Sequence, residues 1–71
     1  MNIQRLAYHY AQINLGTNEC IACFTCSYEI NMDGFVAISS YHDDYVGKYY
    51  NFDDGLFYCE PEYINVFNPY A

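Results

Sequence analysis

The segment Glu19-Cys20-Ile21-Ala22-Cys23-Phe24-Thr25-Cys26-Ser27-Tyr28-Glu29-Ile30 alternates two kinds of side chain. Positions 20, 22, 24, 26, 28 and 30 carry Cys, Ala, Phe, Cys, Tyr and Ile. Positions 19, 21, 23, 25, 27 and 29 carry Glu, Ile, Cys, Thr, Ser and Glu. One set is apolar and the other mostly polar, which is the period of two of a half-buried strand. Asn31-Met32-Asp33-Gly34 then supplies turn chemistry, with Gly34 free to take a positive φ. Phe35 to Tyr41 reads as the return strand, so the whole predicts a hairpin.

The pattern extends downstream. A second turn cluster, His42-Asp43-Asp44, leads into an aromatic-rich strand from Tyr45 to Phe52, interrupted by Gly47. Asp53-Asp54-Gly55 repeats the turn before Leu56 to Cys59. Pro61 and Pro69 mark Tyr63 to Phe67 as an edge strand or extended tail. Short, regular spacing between turns predicts an antiparallel meander. Upstream, Ile3, Leu6, Tyr10 and Ile13 recur at helical spacing, with Asn2 as a cap and Gly16 as a stop. Tyr8, His9 and Tyr10 would also suit a strand, but the stripe favours a helix over 2–15. The expected fold is α+β: an N-terminal helix packed on a three- to five-stranded antiparallel meander sheet, in one domain over 1–71.

Seventy-one residues leave room for one small core, and a chain this short buries only about 60% of its unfolded surface. Ten Tyr and five Phe answer that shortage, since each ring buries roughly 150–250 Å² while a tyrosine hydroxyl stays near water. A hydrophobic content of 54% argues for a folded chain rather than a disordered one. Nine carboxylates against Arg5 and Lys48 give a formal charge of −7. Such a field repels nucleic acid and anionic lipid and draws basic surfaces. No direct nucleic-acid or membrane binding is expected. Residues 1–15 lack the apolar run of a signal peptide, and no stretch reaches the length of a membrane span, so a cytoplasmic location with reduced thiols is expected.

Cys20, Cys23 and Cys26 form C-x2-C-x2-C, and Cys59 follows 33 residues later. The run Cys20-Ile21-Ala22-Cys23-Phe24-Thr25-Cys26 resembles the first binding loop of small bacterial ferredoxins, which are also short and acidic. That resemblance implies an iron–sulfur cluster held by all four cysteines. Zinc would use the same sulfurs, with His9 or His42 as further ligands. Where a ferredoxin carries proline directly after its distant cysteine, Cys59 is followed by Glu60 and then Pro61. Strand alternation also sends Cys20 and Cys26 to one face and Cys23 to the other, which favours buried thiols without metal. Two disulfides, in three possible pairings, are a further alternative.

The carboxylates gather at turns, with Asp33 at the first, Asp43-Asp44 and Asp53-Asp54 beyond it, and Glu60 and Glu62 after the last strand. Aspartate favours turns for local reasons. A sharper reading is a negative ridge, because residues two apart on a strand stand roughly 6.5–7 Å apart and carboxylates so spaced approximate a row of phosphates. Tyr41, Tyr45, Tyr49, Tyr50 and Tyr58 interleave with them as rigid amphipathic contacts. The loop from Asp43 to Asp54 lacks the ligand order of a calcium loop. No Ser/His/Asp order, glycine-rich phosphate loop or HExxH motif is present, and nothing beyond a bare pairing of Cys23 with His42 suggests a nucleophile. An enzyme is not expected.

In size, acidity and want of catalytic motifs the chain resembles small phage-encoded counter-defence proteins, the anti-CRISPR and anti-restriction proteins. The resemblance is one of general character and transfers no functional residue. It implies an inhibitor acting in the host cytoplasm. From the carboxylate and tyrosine pattern itself, Asp43, Asp44, Asp53, Asp54, Tyr45, Tyr49, Tyr50, Glu60 and Glu62 are expected to dock on the basic surface of a nucleic-acid-binding protein or complex. A homodimer joined through a strand edge is the third expectation.

Overall fold

A computed structural model describes residues 7–69 of the chain. Five strands, β1 (Tyr8–Asn14), β2 (Glu19–Cys26), β3 (Phe35–Ile38), β4 (Tyr49–Asn51) and β5 (Leu56–Tyr58), form one antiparallel sheet in the order β3-β1-β2-β4-β5. The helical content of the described residues is a single 3-10 turn, Asp43–Tyr45. The fold is therefore all-sheet, and the expected α+β fold is corrected. Residues 2–6 of the expected helix over 2–15 lie outside the described residues, and 8–14 are β1.

The physical reason lies in where β1 sits. It is flanked by β2 and β3 and is buried on both faces, with Tyr10 at 4% exposure, Ala11 at 0% and Ile13 at 4%. A strand covered on both sides shows no polar–apolar alternation, so its apolar residues can fall by chance at helical spacing. Aromatic and β-branched residues nevertheless favour the pleated state.

The β1–β2 hairpin turns through 15–18. Asn14 holds this turn from both ends: its carbonyl accepts from Thr17 N (3.1 Å) and Asn18 N (2.6 Å), and its side chain accepts from Gly16 N (2.9 Å). Gly16 thus stops no helix; it turns a hairpin. Phe35 to Tyr41 does not return along β2. Only Phe35–Ile38 is strand, and it pairs with β1, His9 facing Ile38 and Gln12 facing Phe35. The expected meander is therefore replaced by two hairpins, β1–β2 and β4–β5, with β3 added on the far side of β1.

That order sends two connections across the sheet. Strand β2 ends at Cys26 opposite Tyr8, whereas β3 begins at Phe35 opposite Gln12. Residues 27–34 must run from one end of β1 to the other, and they do so over the face that bears Tyr10, whose hydroxyl accepts from Ile30 N at 2.8 Å. The crossing ends at Gly34, at φ +88, whose carbonyl accepts from Ile13 N at 2.6 Å. A Cβ there would stand 3.1 Å from the Ile13 carbonyl oxygen, so glycine is required twice over.

Residues 39–48 cross the opposite face, from Ile38 to Lys48, whose carbonyl accepts from Cys20 N at 2.7 Å. On that face Ala11, Ile13, Cys20, Tyr45 and Phe57 form the buried cluster, with Cys23, Val36, Ile38, Tyr50 and Phe67 against it. Its aromatic part is closely joined: Tyr45 lies 4.7 Å from Phe57 and 5.3 Å from Phe67, and Tyr50 lies 4.8 Å from Phe57. Beyond β5 the chain doubles back, with a single bridge between Tyr58 and Val66 and a bond from Phe67 N to Phe57 O at 2.8 Å. Among the described residues no helix is long and apolar enough to cross a membrane.

Candidate functional site

The four cysteines are free thiols, buried at Cys20, half-buried at Cys23 and Cys26, and exposed at Cys59. A bulge decides how the first three are aimed. Ala22 faces Gln12 while Cys20 faces Ile13, so Ile21 is the extra residue, and it stands 49% exposed. The bulge resets the alternation. Cys20 and Cys23 come to share the core face, and Cys26 stays with Phe24 on the other. The strict alternation that put Cys20 with Cys26 is corrected, but the three sulfurs still do not converge. Cys20 Sγ donates to Ala22 O (3.3 Å) and Cys26 Sγ to Tyr28 O (3.0 Å). Among the described residues no group of three or more His, Cys, Asp or Glu side chains is placed to hold a metal ion. His9 bonds Thr25 Oγ1 through Nδ1 at 2.8 Å, and the His42 ring lies against Tyr45. Burial pushes the Cys20 thiol up to about 11, further raised by Cys23 and Glu19 and opposed by its bond to Ala22 and by Lys48. Such a thiol is a small apolar core residue, not a nucleophile at neutral pH.

The carboxylates are arranged differently. The Asp43–Tyr45 turn lies in the 39–48 crossing ahead of β4, and the Asp53-Asp54-Gly55 turn joins β4 to β5. All four aspartates are exposed. A tyrosine fixes one member of each pair: the Tyr41 hydroxyl donates to Asp43, and the Tyr58 hydroxyl donates to Asp54 Oδ2 at 2.5 Å. Asp54 also accepts from Leu56 N at 2.9 Å and Asn51 Nδ2 at 3.4 Å. Each tyrosine is held above its usual pKa, first by the hydrogen bond to its aspartate, then by that carboxylate's charge at Tyr41 and by burial at Tyr58. Sequence reading placed these tyrosines near the carboxylates; their pairing became visible with the structure.

The remaining expected contact residues divide. Tyr45 is 7% exposed and spends its ring on the core. Tyr50 is half-buried against Phe57 and Phe52, and Tyr49 is half-buried in β4. Glu60 turns inward on its own loop, accepting from Asn65 N (3.1 Å) and Asn65 Nδ2 (2.6 Å), while Glu62 is exposed. The Lys48 ammonium lies 4.8 Å from the Phe67 ring centroid, a cation–π contact.

On the opposite face the 27–34 crossing encloses an open groove of about 450 Å³, lined by Phe24, Tyr28, Ile30, Met32, Phe35 and Glu29, together with Asn31. Nothing in the strand pattern pointed to it, because it depends on where the crossing runs. No family model matches this chain, and no curated protein or solved structure matches it either.

Proposed function

We propose that this chain is a non-catalytic binding protein that docks an acidic, tyrosine-braced surface on a basic protein surface of the kind that holds nucleic acid. The observation that carries the reading is the pair of tyrosine-to-aspartate bonds, Tyr41 to Asp43 ahead of β4 and Tyr58 to Asp54 after it. A carboxylate braced by a neighbouring hydroxyl is held in place before any partner arrives, so less side-chain freedom is lost on binding. The lone pairs left on it can take a guanidinium or ammonium, about one of them at Asp54, which already accepts from Tyr58, Leu56 and Asn51. Asp44 and Asp53, next in sequence to the braced groups, and Glu62 add exposed charge. The net charge of −7 steers the encounter with a basic partner. Such a protein acts as an inhibitor by occupying the phosphate-binding ground of its target, in the cytoplasm where that target works.

The test is competition. The wild-type chain and the charge-reversed variants D43K/D44K and D53K/D54K are used as bait, and the partner retained is then offered DNA or RNA. Exclusion of nucleic acid by the wild-type chain, lost on reversal of either aspartate pair, supports the reading. A partner that binds chain and nucleic acid together, or that ignores both reversals, overturns it.

A further inference from the structure

We infer that the groove beneath the 27–34 crossing is a binding site for a methylated lysine side chain presented by a protein. Three aromatic side chains line it, Phe24, Tyr28 and Phe35. Two of them stand nearly perpendicular: Phe24 and Phe35 have centroids 5.9 Å apart and planes at 82°. The two meet edge to face, and with Tyr28 they give the open groove aromatic walls whose π-systems attract a cation. Met32 adds a polarisable thioether, and Glu29 supplies a carboxylate at the rim. Asn31 is the other polar side chain of the lining.

That balance selects the cation. A primary ammonium has three N–H donors and a tightly held hydration shell, and a lining this apolar gives it few acceptors. A trimethylammonium group has no N–H donor to satisfy and presents methyl groups to rings, so it enters with little left unpaired. The groove is open along one side, which admits a side chain still attached to its polypeptide. The acidity of the whole molecule draws the lysine-rich segments on which such groups occur.

The groove is also held ready. Tyr10, itself 4% exposed, anchors Ile30 N at 2.8 Å, and Cys26 Sγ donates to Tyr28 O at 3.0 Å. The Tyr10 ring lies 6.1 Å from that of Phe24. The crossing is thus fastened to the sheet at Tyr28 and at Ile30, on either side of Glu29. Tyr28 remains 65% exposed and Met32 65% exposed, surface that an inserted trimethylammonium group would cover.

The site shares a basic partner with the proposed function but rests on different residues, and its test separates the two. The folded chain is titrated by nuclear magnetic resonance with a short peptide carrying trimethyllysine, then with the same peptide carrying unmodified lysine, then with its uncharged isostere in which carbon replaces the quaternary nitrogen. The expected result is saturable shifts at Phe24, Tyr28, Phe35 and the Met32 methyl. Both control peptides should bind about tenfold more weakly, since the isostere lacks the charge and the lysine lacks the methyls. Tyr28→Ala, which truncates an exposed ring and leaves the core intact, should abolish the shifts while the spectrum stays dispersed. D43K/D44K alters the overall field but none of the lining, so the same four residues should still shift on saturation. Equal binding of the uncharged isostere would reduce the site to an apolar groove, and absence of shifts at these four residues would remove it; either overturns the inference.

Discussion

Asn18 and Tyr63, 45 residues apart in sequence, are joined by a hydrogen bond of 2.8 Å from Asn18 Nδ2 to the Tyr63 hydroxyl oxygen. They are also the two non-glycine residues, among those described, that adopt a positive φ, +63° and +58°. Asparagine tolerates that region, but a ring-bearing residue enters it only when its surroundings insist. Tyr63 is so constrained: its hydroxyl also donates to Tyr50 O at 3.4 Å, and its ring packs 5.2 Å from Tyr58. Tyr63→Phe should therefore cost about 1–2 kcal/mol in urea denaturation. Asn18→Gly keeps the backbone and loses the bond, so it should cost less than Asn18→Ala, which loses both. A double variant with fully additive losses would show that the two residues are not coupled.

Phe57 is the ring that Tyr45 and Tyr50 both pack against, at 4.7 and 4.8 Å. Phe57→Ala should remove about 3–5 kcal/mol, enough to leave most of so small a domain unfolded at 25 °C. Phe57→Leu should keep a cooperative transition at lower urea. A Phe57→Ala protein with an unchanged midpoint would mean that the core lies elsewhere.

Stability should fall in alkali. Cys20 titrates near 9.0 when exposed and at about 11 in the fold, so above pH 9 the unfolded chain loses its proton first. The stability from its burial is complete below pH 9 and is lost as pH rises through about 11. Tyr41 and Tyr58, both raised from 10.0, act in the same direction at somewhat higher pH. Denaturation midpoints measured from pH 8 to 11 should decline, and Cys20→Ala should flatten the first part of the decline. A midpoint rising with pH would contradict it.

Thiol labelling should rank the cysteines by access. In the native protein at neutral pH, Cys59 should react first with iodoacetamide, and Cys20 should react only as the chain unfolds. Mass mapping after brief labelling reads the order. Modification of Cys20 as fast as Cys59 would show that the bulge does not hold it inside.

Added salt should stabilise the fold. With nine carboxylates and two cations, self-repulsion opposes compaction, and screening to a length of about 8 Å near 0.15 M salt relieves it. The thermal midpoint should rise by a few degrees, roughly 1 kcal/mol or less, between dilute buffer and moderate sodium chloride. A fall would mean that attractive pairs outweigh repulsion.

The chemistry of turns was legible because it is local. Asp53-Asp54-Gly55 turns the β4–β5 hairpin as read, with Gly55 at φ +74, and Gly34 takes the positive φ expected of it. Strand pairing was not, because it depends on distant partners: Phe35 looked like the return of β2 and instead joined β1. The alternation running on to Ile30 also misled, since β2 ends at Cys26. Tyr28 and Ile30 belong instead to a crossing that lines the Phe24 groove. At the acidic surface, the exposure of the aspartates was readable, whereas the inward turn of Tyr45 and Glu60 was set by packing and by Asn65.

The crossings over the two faces of the sheet have a consequence for the growing chain. Strand β1, flanked by β2 and β3, is made before everything that covers it: β2, then the 27–34 segment, then β3, then the 39–48 segment. A nascent β1–β2 hairpin can close early, since its contacts are local. Until the later segments leave the ribosome, it shows water two apolar sides and two open edges. During that interval it is exposed to pairing with other chains, and the hazard ends when Tyr45 and Phe57 dock. Slowing translation once residue 26 has emerged from the ribosome, but before residue 58 has, should therefore lower the soluble yield.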